Sequence, residues 1–355
     1  MRDKIIVVGG YGQVGRHVSL ELAKRFPQKV IVAGRSIDKA NRFAGEHNGQ
    51  FETLQLDIYD AGHGALENAK AAVMCLSPAS NDFANFCIEK GVHYIDISPS
   101  NGVAQGIEPL QEKAEQNNVT CVLGVGLASG LSNLLVKELR GAMDALEEVN
   151  IHLMLGLGDS HGEDGVRWLL DNMGRDFVDG SGKRVKPFVD KRKTAFMAPL
   201  GERSAYRFNL ADQFIAVKTL QTKQAASYFC YDSRAITALV SILQHLGAFR
   251  LLRYKSAYRA TTKLFGAMLS ALRKLGFGTD VYSIKIDAVG MKNGNEHFCH
   301  AAATGHDNAL FTAKVAAFVA REMYAGHCPP GVFYMEQLFS LDDLADICPE
   351  IEADV

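Results

Sequence analysis

Three glycines in the stretch Gly9-Gly10-Tyr11-Gly12-Gln13-Val14-Gly15 have the spacing of a loop that cradles a pyrophosphate. In such a loop Gly10 makes the tight turn and Gly12 lets the backbone approach the phosphates. Gly15 lets the following helix close on the strand before it. Tyr11, Gln13 and Val14 lie between the glycines and would line the same ligand. About twenty residues further on, where the adenosine ribose of a dinucleotide would lie, the chain places Arg35, Ser36 and Lys39. An acidic residue there would accept from both ribose hydroxyls, whereas basic ones welcome a 2′-phosphate. These residues read as a site for NADP(H), against the plainer reading of an exposed Arg and Lys at an ordinary helix start. The chemistry that goes with that cofactor is hydride transfer to or from an acceptor, with one proton to manage.

Further residues fall where such a site would need them. Asp57, followed by Ile58, can accept from an adenine amino group or form a turn or helix cap, and both readings stand. Ser77 and Pro78 put a small residue and a helix-stopper where the nicotinamide ribose would cross the strand ends. The candidates for the proton are Asp96, Tyr94 and His161. His161, in a Gly-rich loop with Asp159 and Glu163, has the most suitable intrinsic proton affinity near neutrality, or is merely solvated. Asp96 stands at a strand end, where a carboxylate can also cap a turn. Alternation makes His93 and Tyr94 face opposite ways, so at most one looks into a site.

The elements that must position these groups are legible in the apolar pattern. Residues 5–8 form a short β-branched run aimed at the glycine loop, and Val14, Val18 and Leu22 recur every four residues after it, so the loop opens a helix. Further strands are expected at 30–33, 51–56, 72–76, 93–98 and 119–123, with helices between them, for example at 38–46 and 81–90. That alternation gives an α/β class with a doubly wound parallel sheet. After a loop at 124–130 and a helix at 131–143 the rhythm changes. Longer alternating runs at 150–155, 204–210, 281–291 and 297–304, with helices at 166–173, 233–245, 258–275 and 309–325, suit a second α+β domain with a largely antiparallel sheet.

The 355 residues exceed one small domain, and their net charge of -2 gives no global reason to expect nucleic acid. The start runs at once into the first strand with no leader pattern, and no apolar run has spanning length, so a cytoplasmic place is expected. None of the seven cysteines falls in a Cys-x-x-Cys pair, which suggests neither a disulfide framework nor a zinc ribbon. His297, Cys299, His300 and His306 alternate across two faces of a strand pattern, and no metal site is expected of them.

Two features bear on the substrate. Arg167, Arg203 and Arg207 could fork a carboxylate; the last two, four apart in a strand pattern, equally suit a solvated edge. Between Asp232 and Asp280 lie eight Lys and Arg and no acidic residue, interleaved with Leu, Tyr, Phe and Met. This stretch reads foremost as an interface helix with snorkelling cations. A dock for a phosphate-bearing or carrier-bound substrate and a membrane-surface contact through 250–275 are the other readings.

Taken together, Gly-Gly-Tyr-Gly-Gln-Val-Gly-Arg at 9–16, Ala-Gly-Arg-Ser at 33–36, Cys-Ile-Glu-Lys-Gly-Val-His-Tyr-Ile-Asp at 87–96, the stretch 126–133 before a helix and Pro-Gly-Val at 330–332 resemble the saccharopine dehydrogenase family. The resemblance implies an N-terminal Rossmann domain for NADP(H) at 1–127. It also implies a substrate and dimerisation domain at 128–328, and a C-terminal segment, 329–355, that returns to the Rossmann sheet. It suggests a homodimer acting on a small molecule that bears carboxylate or phosphate groups, with hydride transfer at a C=N or C–N bond of an amino-acid-like substrate. One departure bears on this: relatives that act on amino acids carry a Pro where this chain has Ala128-Ser129. An enoyl or carbonyl reductase acting on an anionic or carrier-bound substrate is the alternative, and a non-catalytic NADP-binding protein the next.

Overall fold

A computed structural model describes residues 2–60, 64–98, 101–158, 163–274 and 276–354. They fall into two compact units: residues 1–130 with 309–339, and residues 131–308 with 340–355.

The first unit is built on a seven-stranded, wholly parallel sheet. Its strand order is Gly331–Tyr334, Thr120–Leu123, His93–Asp96, Ala69–Met74, Lys4–Val8, Val30–Gly34 and Glu52–Gln55. Ile5, Ile6, Val7 and Val8 are all but fully buried. That explains why the central strands are unbroken apolar runs: with helices on both faces, alternation has no solvent side to serve. The order reverses direction between Lys4–Val8 and its two neighbours, which opens a crevice at the carboxyl ends of the strands. The helix Asn308–Ala325 returns the late chain to this unit, held by Tyr324. Its hydroxyl accepts from Lys29 Nζ at 2.9 Å, and Lys70 Nζ lies 3.9 Å above its ring.

The second unit holds a mixed sheet in the order Lys191–Phe196, Gly201–Arg207, Gln224–Tyr231, Ala145–Leu155, Val281–Lys292, Asn295–His306 and Glu350–Asp354. Every neighbouring pair is antiparallel except Gln224–Tyr231 with Ala145–Leu155. Lys191–Phe196 is an edge in this order, yet Thr194 Oγ1 donates to Asp287 Oδ2 (3.2 Å) and Arg192 Nη1 to Glu148 Oε1 (3.1 Å). These partners sit four and three places away, so the sheet rolls over its own polar face.

Three expectations are corrected. Residues 329–355 do not return as one piece: Gly331–Tyr334 pairs with Thr120–Leu123, but Glu350–Asp354 pairs with Asn295–His306 in the other sheet. The break also falls after Asn308 rather than near 328, because the last long helix packs with the parallel sheet. Nor is Gly201–Arg207 a solvated edge. It lies between two strands, and Arg207 is buried against Asp179 Oδ2 (3.2 Å) and Gln213 Oε1 (3.1 Å), so it is already paired.

Candidate active site

The glycine loop joins Lys4–Val8 to the helix Gln13–Arg25. Gly9 takes the left-handed region (φ +78), and the turn is closed by Gly10 N–H to the Val7 carbonyl (3.1 Å) and Gly12 N–H to the Gly9 carbonyl (2.8 Å). A Cβ on Gly10 would lie 2.8 Å from the Val7 oxygen and 3.0 Å from Ser19 Oγ, and one on Gly15 would drive into the Gly9 carbonyl. Helix and strand therefore approach as closely as only glycine allows. Among the described residues no side chain caps the helix at Gly12 and no acid lies in its first turn, so the first N–H groups stay open to an anion.

Tyr11 spans from this loop to the end of the second strand. Its hydroxyl accepts from the Ser36 N–H at 3.1 Å, and its ring fills the space a Cβ on Gly34 would need, 2.5 Å from the phenol oxygen. Ser36 caps the helix Ile37–Glu46 through Oγ, which accepts from Lys39 N–H (3.4 Å). Arg35 and Lys39 are exposed, and among the described residues the Arg35 guanidinium has no partner. Gln13 and Val14 are half-buried at the helix start. Asp57 forms a turn, its Oδ1 accepting from Tyr59 N–H (3.1 Å), with Ile58 buried behind it. Tyr59 in turn accepts from Ala79 N–H (2.9 Å), which ties that turn to exposed Ser77 and buried Pro78.

At the end of the fifth strand Asp96 is 3 % exposed. Its Oδ2 accepts from the Tyr94 hydroxyl (3.1 Å) and its Oδ1 from the Ser98 N–H (2.6 Å). Burial pushes its carboxyl up to about 6 against the lowering effect of those hydrogen bonds. Tyr94 is fully buried, and burial with the neighbouring Asp96 raises its phenol well above its ordinary range. His93 faces the other way, its Nδ1 accepting from Thr120 N–H (3.0 Å). Burial, and then Lys70, lower its proton affinity. His161 lies outside the described residues, as does Asp159; Glu163 opens the helix Glu163–Met173.

These features meet in a sequence relationship. Residues 5–122 match the family model described as the saccharopine dehydrogenase NADP binding domain. The N-terminal unit carries that domain. Its cofactor is NADP(H), and the residues present fit it: a loop only glycine can close, an uncapped helix start and an unpaired guanidinium at the ribose end. No curated protein matches the sequence. Among solved structures, the chain is similar to apo saccharopine dehydrogenase (L-Glu forming) from Saccharomyces cerevisiae, with a TM-score of 0.67 and 12% identity over 99% of this chain and 100% of that one. That likeness shows the fold across the whole length. Looser likenesses are to the DAP dehydrogenase of C. glutamicum in complex with DAP (TM-score 0.47, 12% identity, 98% and 99% covered) and to an engineered D-amino acid dehydrogenase bound to NADP+ (TM-score 0.44, 13% identity, 98% and 99% covered).

Three residues of this candidate site escaped the sequence reading. Gly9, not Gly10, carries the positive φ, Gly34 makes room for the Tyr11 ring, and Tyr59 links two loops. Gly34 at the end of a β-branched strand was the one available signal. In the second unit, and among the described residues throughout, no three metal-ligating side chains converge.

Proposed function

We propose that this chain is an NADP(H)-dependent oxidoreductase that moves a hydride to or from a C=N or C–N bond of an amino-acid-like substrate. The observation that carries the cofactor half is the Arg35 guanidinium, exposed and without a partner among the described residues at the end of the second strand, with no acid in the place that would select NAD. The family of the matched domain supports the substrate half.

Bound NADP(H) supplies or accepts the hydride. The chain's own residues bind, orient and handle the proton. The Gly12 to Gly15 backbone would offer N–H groups to the pyrophosphate, while Arg35, Ser36 and Lys39 would hold the 2′-phosphate. Of the proton-handling candidates, Asp96 has the affinity for work near neutrality, at about 6, and Tyr94 and Ser98 fix its orientation. His161 remains a candidate from the sequence alone.

A second reading keeps the cofactor and changes the acceptor to an enoyl or carbonyl group. Ser129, in the place where amino-acid relatives carry Pro, favours it. Among the described residues the buried Ser129 hydroxyl has no hydrogen-bond partner, which would leave a donor for a substrate oxygen.

The deciding experiment titrates NADPH and NADH against the protein and against Arg35→Ala. Tighter NADPH binding that falls to the NADH level in the variant supports the reading, and a substrate screen with amino acids and enoyl or carbonyl compounds then separates the two acceptors. Equal affinity for both cofactors in the unaltered protein overturns the 2′-phosphate site.

A further inference from the structure

The helix Arg234–His245 is inside out. Its buried positions are Thr237, Val240, Ser241 and Gln244, three of them polar. Backbone satisfies those groups: Thr237 Oγ1 donates to the Ser233 carbonyl (2.9 Å), Ser241 Oγ to Phe188 (3.1 Å) and Gln244 Nε2 to Pro187 (2.9 Å). The apolar stripe lies on the other side. Leu239, Ile242, Leu243 and Leu246 recur at the spacing of one helical face and are 48%, 56%, 37% and 77% exposed. A stripe of this kind ordinarily faces a core; here it faces outward.

The same character continues along the chain. Leu251 and Tyr254 are exposed, and on the helix Lys255–Lys274 so are Leu264 and Met268, four residues apart. Lys255, Arg259 and Lys263 form an exposed row at the same spacing, on the opposite side of that helix from Leu264 and Met268. An open cavity of about 570 Å³ beside them has Arg175, Arg253, Lys255 and Arg259 at its rim, with Asp171 as its single acid. From 233 to 279 the sequence holds eight Lys and Arg and no Asp or Glu.

We propose that this stretch, 234–274, docks on the surface of an anionic phospholipid membrane, with the leucine stripe of Arg234–His245 at the acyl boundary and the cations of the following helix at the headgroup phosphates. This goes beyond the oxidoreductase reading and does not depend on it. Charge decides the occupant. A second copy joined through a two-fold axis would set this cationic face against itself, with no acid in the stretch to pair it. A neutral apolar partner would leave the cation row unanswered. An anionic bilayer supplies both countercharge and an apolar layer, and the stretch carries the two signals that stable interfacial binding needs. Among the described residues no helix is long and apolar enough to cross a membrane, and the contact proposed lies in the interface.

The test is co-sedimentation with phosphatidylcholine vesicles, with and without phosphatidylserine, alongside analytical ultracentrifugation without lipid. The expected result is binding to the phosphatidylserine vesicles that salt weakens and that is at least about tenfold weaker on phosphatidylcholine alone. The triple variant Lys255→Gln, Arg259→Gln, Lys263→Gln should weaken it about a hundredfold, at roughly fivefold per cation. Ile242→Ser with Leu246→Ser should weaken it independently, and thermal midpoints by circular dichroism show which variants remain folded. No binding to phosphatidylserine vesicles, equal binding to both kinds, or a lipid-free dimer that the Ile242 and Leu246 changes dissociate each overturns the proposal.

Discussion

The hydroxyl of Tyr94 donates to Oδ2 of Asp96 over 3.1 Å, with both side chains all but fully buried at one strand end. Burial outweighs that hydrogen bond and the one from Ser98, and raises the carboxyl from 3.8 to about 6. A group whose folded pKa is raised favours its protonated form in the fold. Its contribution to stability is therefore full below about pH 4 and is lost as pH rises through about 6. Relative to Asp96→Asn, the unaltered protein should lose about 3 kcal/mol across that window. Urea unfolding of both proteins from pH 4 to pH 7 reads the difference, and a pH-independent gap would show that Asp96 does not titrate in the fold as described.

Gly15 and Gly12 should answer differently to the same methyl group. A Cβ on Gly15 meets backbone, the Gly9 carbonyl and the Gly10 Cα at 2.9 Å, whereas one on Gly12 meets the Gly9 oxygen alone at 3.0 Å. Gly15→Ala must push helix and strand apart and should cost about 2 kcal/mol of stability, in the range of overpacked cores. Gly12→Ala should cost well under that and act mainly by blocking the approach of the pyrophosphate. Thermal midpoints separate the two, and NADPH titration should show weakened binding in both. Equal destabilisation would mean the close approach at Gly15 is not what the residue serves.

The contrast between these glycines and the rest of the chain shows what a sequence can carry. The loop and its flanking strands were legible because a parallel sheet covered on both faces requires unbroken β-branched runs, and residues 5–8 and 30–33 are such runs. The strand Lys191–Phe196 was not, since four of its six residues are exposed or charged and its partners are reached only when the sheet rolls. The strand Gln224–Tyr231 was not expected at all, and its parallel pairing was equally hidden, because alternation looks the same in either strand direction. Arg207 shared a face with Arg203 as its spacing said, but strand order is a global property, and an inner strand turned the expected edge into a buried ion pair. For Arg234–His245 the helix was legible and the direction its apolar stripe faces was not. Helical spacing reports that a stripe exists and is silent on what it meets.

Tyr11 links the glycine loop to Ser36 and Gly34, beside the residues proposed for the 2′-phosphate, through one hydrogen bond and one packed ring. Tyr11→Phe leaves the Ser36 N–H without its acceptor and should weaken NADPH about fivefold, the worth of one ordinary hydrogen bond. Gly34→Ala should do more, because its methyl group would displace the whole ring and, with it, the position of Arg35. NADPH and NADH titrations of both variants check the order. An unchanged preference for NADPH in Gly34→Ala would show that Tyr11 does not set the geometry of the ribose end.

His152 should give the opposite pH slope from Asp96. It is fully buried in the centre of the rolled sheet, stacked on Tyr228 with ring centres 5.0 Å apart. Its Nε2 lies 3.3 Å from Asp287 Oδ2, within ion-pair range but off the angle of a hydrogen bond. Burial lowers its proton affinity below 6.5 and prevails over the attraction of Asp287. A lowered pKa means the neutral ring is the stable form, so its contribution is full above 6.5 and is lost as pH falls through the folded value. Relative to His152→Gln, the unaltered protein should lose stability on acidification, and the nitrogen chemical shifts of His152 should report less imidazolium at pH 6.5 than a free histidine shows. Asp287→Asn removes the one nearby attraction and should lower the titration point further. If His152 instead titrates above 6.5, the carboxylate outweighs desolvation, the slope reverses, and the rolled sheet holds an ion pair at its centre.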